Sequence, residues 1–318
     1  MSTAISVGSS ADGTGRAAPQ RAAPGRRRVV AARVLRGVLV LGAAAGVLAG
    51  CGGSEQVYRS VPLERAISIN RKATAAYEQG RYETALEGYR EALRISQSIE
   101  HVDGIAANLL NLAAVSRSLG NEEQAAGALE VLLADGGLVF SPARRADAAY
   151  LRAVIFADAR ALADASRLAA QALTLCREGA CGKAGRIVNL QARIADLSGD
   201  GPAALAAAQA ALALNREEHA DEETANSLRI AADVRRARGE WNQAAEGFAA
   251  ALALDKSLGL PAKISLDLLR LGDVAVGQAR REDALASYRR AREVSRGVAD
   301  AAGTAEADVR IRSLGESR

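Results

Sequence analysis

An alanine returns about every forty residues along most of this 318-residue chain. The segments "GRYETALEGYREAL" (80–93), "GNEEQAAGALEVLL" (120–133), "RALADASRLAAQAL" (160–173), "GDGPAALAAAQAAL" (199–212), "GEWNQAAEGFAAAL" (239–252) and "ARREDALASYRRAR" (279–292) align without gaps. Their first column holds Ala85, Ala125, Ala165, Ala204, Ala244 and Ala284, at intervals of 40, 40, 39, 40 and 40. Four residues on stand Tyr89, Leu129, Ala169, Ala208, Phe248 and Tyr288. Three further stand Ala92, Leu132, Ala172, Ala211, Ala251 and Ala291. Offsets of four and seven share one face of an α-helix. The small first residue admits a second helix closely, and the larger one fills the groove beside it. An aromatic content of 3% also favours helices over strands, which prefer aromatic and β-branched side chains. A fixed period this long is the mark of a repeat architecture.

A second helical stretch precedes each stripe, as in "LLNLAAVSRSLG" (109–120) and "LLRLGDVAVGQA" (268–279). Gly80, Gly120, Gly199 and Gly239 mark the turns between the two. Asn121 with Gln124 reads as a helix N-cap with its capping-box partner. Trp241 occupies the place that Tyr82 holds in the first unit, and is expected to pack rather than to bind.

These residues resemble tetratricopeptide repeats. Leu271-Gly272 before a turn, with Ala284, Tyr288 and Ala291 after it, match that family's pattern. So do Gly80, Tyr82, Ala85, Tyr89 and Ala92. The third and fourth units depart from it, with alanine in place of the aromatic and Arg160 in place of the turn glycine. The usual repeat has 34 residues, so the extra six imply longer helices or longer links. The resemblance implies an all-α, right-handed solenoid of about six helix-turn-helix units over residues 63–297. Residues 298–318 then form a capping helix, at roughly Thr304–Leu314, and a tail. A solenoid needs such a cap because each unit buries its face only on a neighbour.

Ahead of the repeats, Arg26, Arg27, Arg28, Arg33 and Arg36 precede an apolar run from Gly37 to Gly50, too short to span a bilayer comfortably. It ends in Leu48-Ala49-Gly50-Cys51, which resembles the bacterial lipobox. That resemblance implies removal of residues 1–50, lipidation of Cys51 (diacylglyceryl thioether and N-acyl chain) and a short tether over residues 51–62. Gly52 stands where an inner-membrane retention signal would have aspartate. The expected location is the cell envelope. In a Gram-negative cell this is the periplasmic face of the outer membrane; in a Gram-positive cell it is the outer face of the cytoplasmic membrane.

The net charge of +4 carries no nucleic-acid signal. The first fifty residues hold seven arginines and one acid, and the remainder balances 34 basic against 36 acidic side chains. Catalytic patterns are missing as well: no nucleophile elbow, phosphate loop or paired zinc ligands occur. His101 and His219 fall in links between units, and "SGDGPA" (198–203) reads as turn chemistry. Neither a metal nor a cofactor is expected. Cys176 and Cys181 flank "REGA"; on the exported side a structural disulfide is the default reading, and a redox-active pair is the alternative.

In tetratricopeptide folds the first helix of each pair lines the concave face. Carried over residue by residue, the family's ligand-facing slots fall on Asn70, Thr74 and Tyr77, then on Arg117 and on Tyr150. They continue at Arg186, Asn189 and Arg193, at Arg229, Asp233 and Arg236, and at Asp273. Four arginines on two adjacent helices suggest an acidic segment or a free C-terminus as guest, since guanidinium forks match carboxylates. The function implied is a non-catalytic scaffold that holds envelope proteins or peptides, in envelope or pilus assembly or in recruiting peptidoglycan enzymes. The alternative is capture of a glycan or other small ligand, for which only Tyr77 and Tyr150 offer aromatic platforms.

Overall fold

The computed structural model describes residues 60–315, so the 1–50 leader and Cys51 lie outside the described residues. Six antiparallel helix pairs follow one another. They are α1 (Val61–Glu78) with α2 (Tyr82–Ser98), α3 (Val102–Ser118) with α4 (Glu122–Leu133), and α5 (Pro142–Asp158) with α6 (Leu162–Glu178). Next come α7 (Ala184–Leu197) with α8 (Gly201–Glu217), α9 (Asp221–Ala237) with α10 (Trp241–Leu258), and α11 (Pro261–Gly277) with α12 (Arg281–Gly297). A last helix, α13 (Ala301–Ser313), covers α12. No strand occurs among the described residues, and no helix of theirs is long and apolar enough to cross a membrane.

The alanine column explains the packing. All six first-column alanines are 0% exposed, and the residues four and seven positions on are 3% exposed or less. Each helix packs on its predecessor, so the stripe on a second helix is buried from both sides. The longer period lies in the helices themselves. Most run 17 residues and are joined by three, whereas residues 179–183 and, longest of all, residues 134–141 make longer links. There α4 stops early, and Phe140, 6% exposed, fills the space that the missing turn leaves.

The joints share one geometry. Gly80, Gly120, Gly199 and Gly239 turn with positive φ, as expected, but so do Glu100, Arg160, Ala180, His219, Ala279 and Ala299. In each case the following amide reaches five residues back, as in Arg81 N–H to the Ala76 carbonyl at 2.9 Å and Ala161 N–H to Phe156 at 2.9 Å. This Schellman closure satisfies carbonyls that the helix end would leave unpaired. Left-handed backbone costs an L-residue about 1–2 kcal/mol, and glycine returns part of that as extra freedom in the unfolded chain. Arg160→Gly is therefore expected to stabilise by about 0.5–1 kcal/mol. Urea titration should show a raised midpoint, with Gly239→Ala shifting it the other way.

Side chains cap some of the helix N-termini. Asn121 and Asp200 cap α4 and α8, accepting from Gln124 N–H at 3.1 Å and Ala203 N–H at 3.0 Å. His101 caps α3 through Nδ1, accepting from Gly104 N–H at 2.9 Å. The expected return bond from Gln124 to Asn121 does not form. Gln124 instead accepts from the Ser116 hydroxyl at 3.0 Å, and the Asn121 amide closes on Ser116. Trp241 packs in a cluster with Ala232, Ala244, Phe248 and Val274, its ring lying where a Cβ on Gly277 would stand. Cys176 and Cys181 are joined as a disulfide across the α6–α7 joint.

Candidate partner-binding groove

The first helices of neighbouring pairs touch one another: α1 with α3, α3 with α5, α5 with α7, α7 with α9, and α11 with α13. This continuous inner layer carries all twelve residues that the tetratricopeptide resemblance places on the concave face. Between α9 and α11 the bridge is made by side chains. Arg229 donates to Asp267 at 2.7 Å, Lys263 to Glu222 at 2.7 Å, and Arg270 lies 3.3 Å from Asp233.

A cavity of about 440 Å³ opens where α5, α7, α9 and α11 converge. Tyr150, Arg186, Asn189, Arg193, Arg229 and Asp233 line it, so half of the candidate residues come together in one site. Val154, Leu190, Leu197, Ile230 and Leu266 form its apolar surface, and Asp196 and Glu223 complete its charged wall. The size is typical of ligand sites.

The other candidates are spent elsewhere. The Asn70 amide donates to Asn108 at 2.7 Å, beside a smaller cavity of about 230 Å³. Thr74 donates to the Asn70 carbonyl and accepts from Tyr89. The Tyr77 ring sits 5.5 Å from that of Tyr82, and its hydroxyl is 3.1 Å from Ser118. Asp273 accepts from Tyr288 at 2.9 Å and from Arg310 at 3.0 Å, so it ties α13 to the sixth pair.

Every arginine among the candidates already has a carboxylate. Asp158 accepts from both Arg117 at 2.9 Å and Arg193 at 2.6 Å. Arg236 reaches Asp233 at 3.2 Å. Arg186 lies over the Tyr150 ring at 4.5 Å and pairs with Glu223 at 3.4 Å. Burial works against the Arg186 charge, but Tyr150, Glu223 and Asp147 outweigh it and raise its pKa above the ordinary arginine value. The guanidinium forks expected to stand open thus each already meet an acid of this chain, Arg236 one on its own helix and the others acids of neighbouring helices. Tyr150, covered by Arg186, is not an open aromatic platform either.

Arg229 departs furthest from the slot assigned to it. It is 8% exposed and holds two fully buried carboxylates, Asp255 of α10 and Asp267 of α11, while its third nitrogen donates to Asn226 at 2.8 Å. One guanidinium faces two acids, and Oδ1 of Asp255 has no hydrogen-bond partner. Desolvation, aided by the Asp255 charge and opposed by Arg229, pushes the Asp267 pKa up to about 6. Burying an unbalanced charge is costly, which is why burial outweighs the guanidinium here and favours the bound proton in mildly acidic solution.

Asp196 is the reverse case. It stands exposed at the cavity rim and, unlike those of Glu223 and Asp233, its carboxylate makes no hydrogen bond or ion pair. Partial desolvation and the nearby Asp233 raise its pKa, with Arg236 opposing. Nothing in the sequence distinguishes it from the paired acids, since pairing depends on which rotamers reach across helices.

No family model matches the chain, and no curated protein matches it. Solved structures of similar fold do exist. Apo RapI aligns with a TM-score of 0.60 at 14% identity, covering 78% of this chain and 70% of its own. A Rap protein complexed with Competence and Sporulation Factor gives 0.53 at 14%, covering 80% and 76%. PilF of Pseudomonas aeruginosa gives 0.52 at 15%, covering 79% and 99%. At such identities the likeness establishes the tetratricopeptide-like solenoid and nothing finer.

Proposed function

We propose that this chain is a lipid-anchored protein of the bacterial envelope that uses its inner groove to hold a partner protein or peptide, without catalysis. The observation that carries the reading is the cavity at the convergence of α5, α7, α9 and α11, lined by both apolar and charged side chains. An apolar surface with few oriented polar groups is how a guest is gripped and selected. A Rap protein of similar fold was solved in complex with Competence and Sporulation Factor, which favours a guest-holding role over that of a passive spacer.

Two features support the envelope. The run from Gly37 to Gly50 ending in Cys51 resembles a lipoprotein leader, and the Cys176–Cys181 disulfide suits an oxidising compartment. Anchoring at Cys51 would leave nine residues, 52–60, before α1 begins at Val61. Extended, that is at most roughly 35 Å of reach. The groove would then work close to the membrane, on envelope components. The test is whether the cavity wall touches another protein in the cell. A photo-cross-linking residue at Ile230 is expected to capture one, and the same residue on the outer face of α10 is not.

A further inference from the structure

We infer that the groove cavity takes a basic side chain of its guest, a lysine or arginine flanked by aliphatic residues, with Asp196 as its counter-ion. This rests on the guest-holding reading above and names the chemistry of the guest. The argument is one of charge complementarity. Three carboxylates line the cavity: Glu223 is engaged by Arg186, Asn189 and Asn226, Asp233 by Arg236 and Arg270, whereas the Asp196 carboxylate has no hydrogen bond or ion pair and feels Arg236 only through space. An acidic guest would have to share a guanidinium that already meets an acid of this chain, as Arg193 meets Asp158 at 2.6 Å. A basic guest displaces no existing pair and meets an acid that its own neighbour, Asp233, disfavours as an anion. A long basic side chain also carries an apolar stem, for which Leu197 and Ile230 provide a surface. Desolvation within the cavity strengthens the pair relative to an open surface ion pair.

The experiment is selection from a bead-bound library of short random peptides, with their C-termini free, by the full repeat domain and by its Asp196→Asn and Asp196→Lys variants. The wild type is expected to enrich lysine or arginine beside aliphatic residues by about five-fold over an acidic residue at the same place. Asp196→Asn is expected to abolish that preference, and Asp196→Lys to reverse it toward acids. Both variants should keep the wild-type thermal midpoint, since Asp196 is exposed and its carboxylate makes no hydrogen bond or ion pair. Enrichment of acidic residues or of a terminal carboxylate, no enrichment at all, or a basic preference that persists in Asp196→Asn would each overturn the inference. If Ile230 still cross-links a protein in the cell, the groove reading stands and only the guest chemistry falls; if it does not, both fall.

Discussion

Arg229→Ala is expected to lower stability by about 3–5 kcal/mol, because it leaves Asp255 and Asp267 buried with no counter-charge. Both carboxylates are fully buried, so water cannot replace the guanidinium without opening the α9–α10–α11 contact. Equilibrium unfolding in urea measures the loss. Combining Arg229→Met with Asp255→Asn and Asp267→Asn should recover most of it, since neutral groups of similar shape remove the uncompensated charge. A loss below about 1 kcal/mol for Arg229→Ala would mean that the three groups do not form a buried unit. The same cluster gives a pH dependence of unusual sign. Asp267 holds its proton up to about pH 6 when folded, but only to about pH 4 when unfolded. The folded state then binds more protons in that window, so this group's contribution is complete below about pH 4 and is lost as pH rises through about 6. Asp267→Asn should remove this slope.

Cys51→Ala is expected to release the protein from the membrane fraction and to end its labelling by a fatty-acid probe. The apolar segment up to Gly50 would no longer be followed by a lipidated residue, and two or three acyl chains are what make such anchoring stable. Fractionation with and without carbonate washing reads the change. Undiminished membrane association of the alanine variant would remove the anchor from the proposal, while the solenoid and its groove would stand.

The fold was legible because one column of alanines repeats with little drift, and burial of that column is what a helix-pair solenoid requires. The joints were half legible. Glycines mark Gly80, Gly120, Gly199 and Gly239, but Glu100, Arg160, Ala180, His219, Ala279 and Ala299 adopt the same left-handed turn with no glycine to announce it. Once those are included, the joints recur roughly every twenty residues and the period resolves into single helices. The site was less legible. The family slots fall on the inner helices, yet side-chain partners, most of them across helices, decide which charged groups are already paired. One signal was present in the sequence. Eleven residues after the column alanines come Ser96, Cys176, Asn215, Asp255 and Ser295, on the buried face and all 2% exposed or less. A polar residue continuing an apolar stripe needs a buried partner. Asn108, Cys181, Ser227, Arg229 and Ser265 meet these five. Asp255 in this series requires a buried cation, and Arg229 supplies it from the cavity wall.

The most direct measurement is site-specific photo-cross-linking in the native host, with p-benzoylphenylalanine at Ile230 in the cavity and at Glu246 on the exposed face of α10. A discrete protein adduct from Ile230, absent from Glu246 and competed by Tyr150→Ala in the same chain, is the expected result. Adducts of equal yield from both positions, or none from Ile230, would contradict a partner-holding groove.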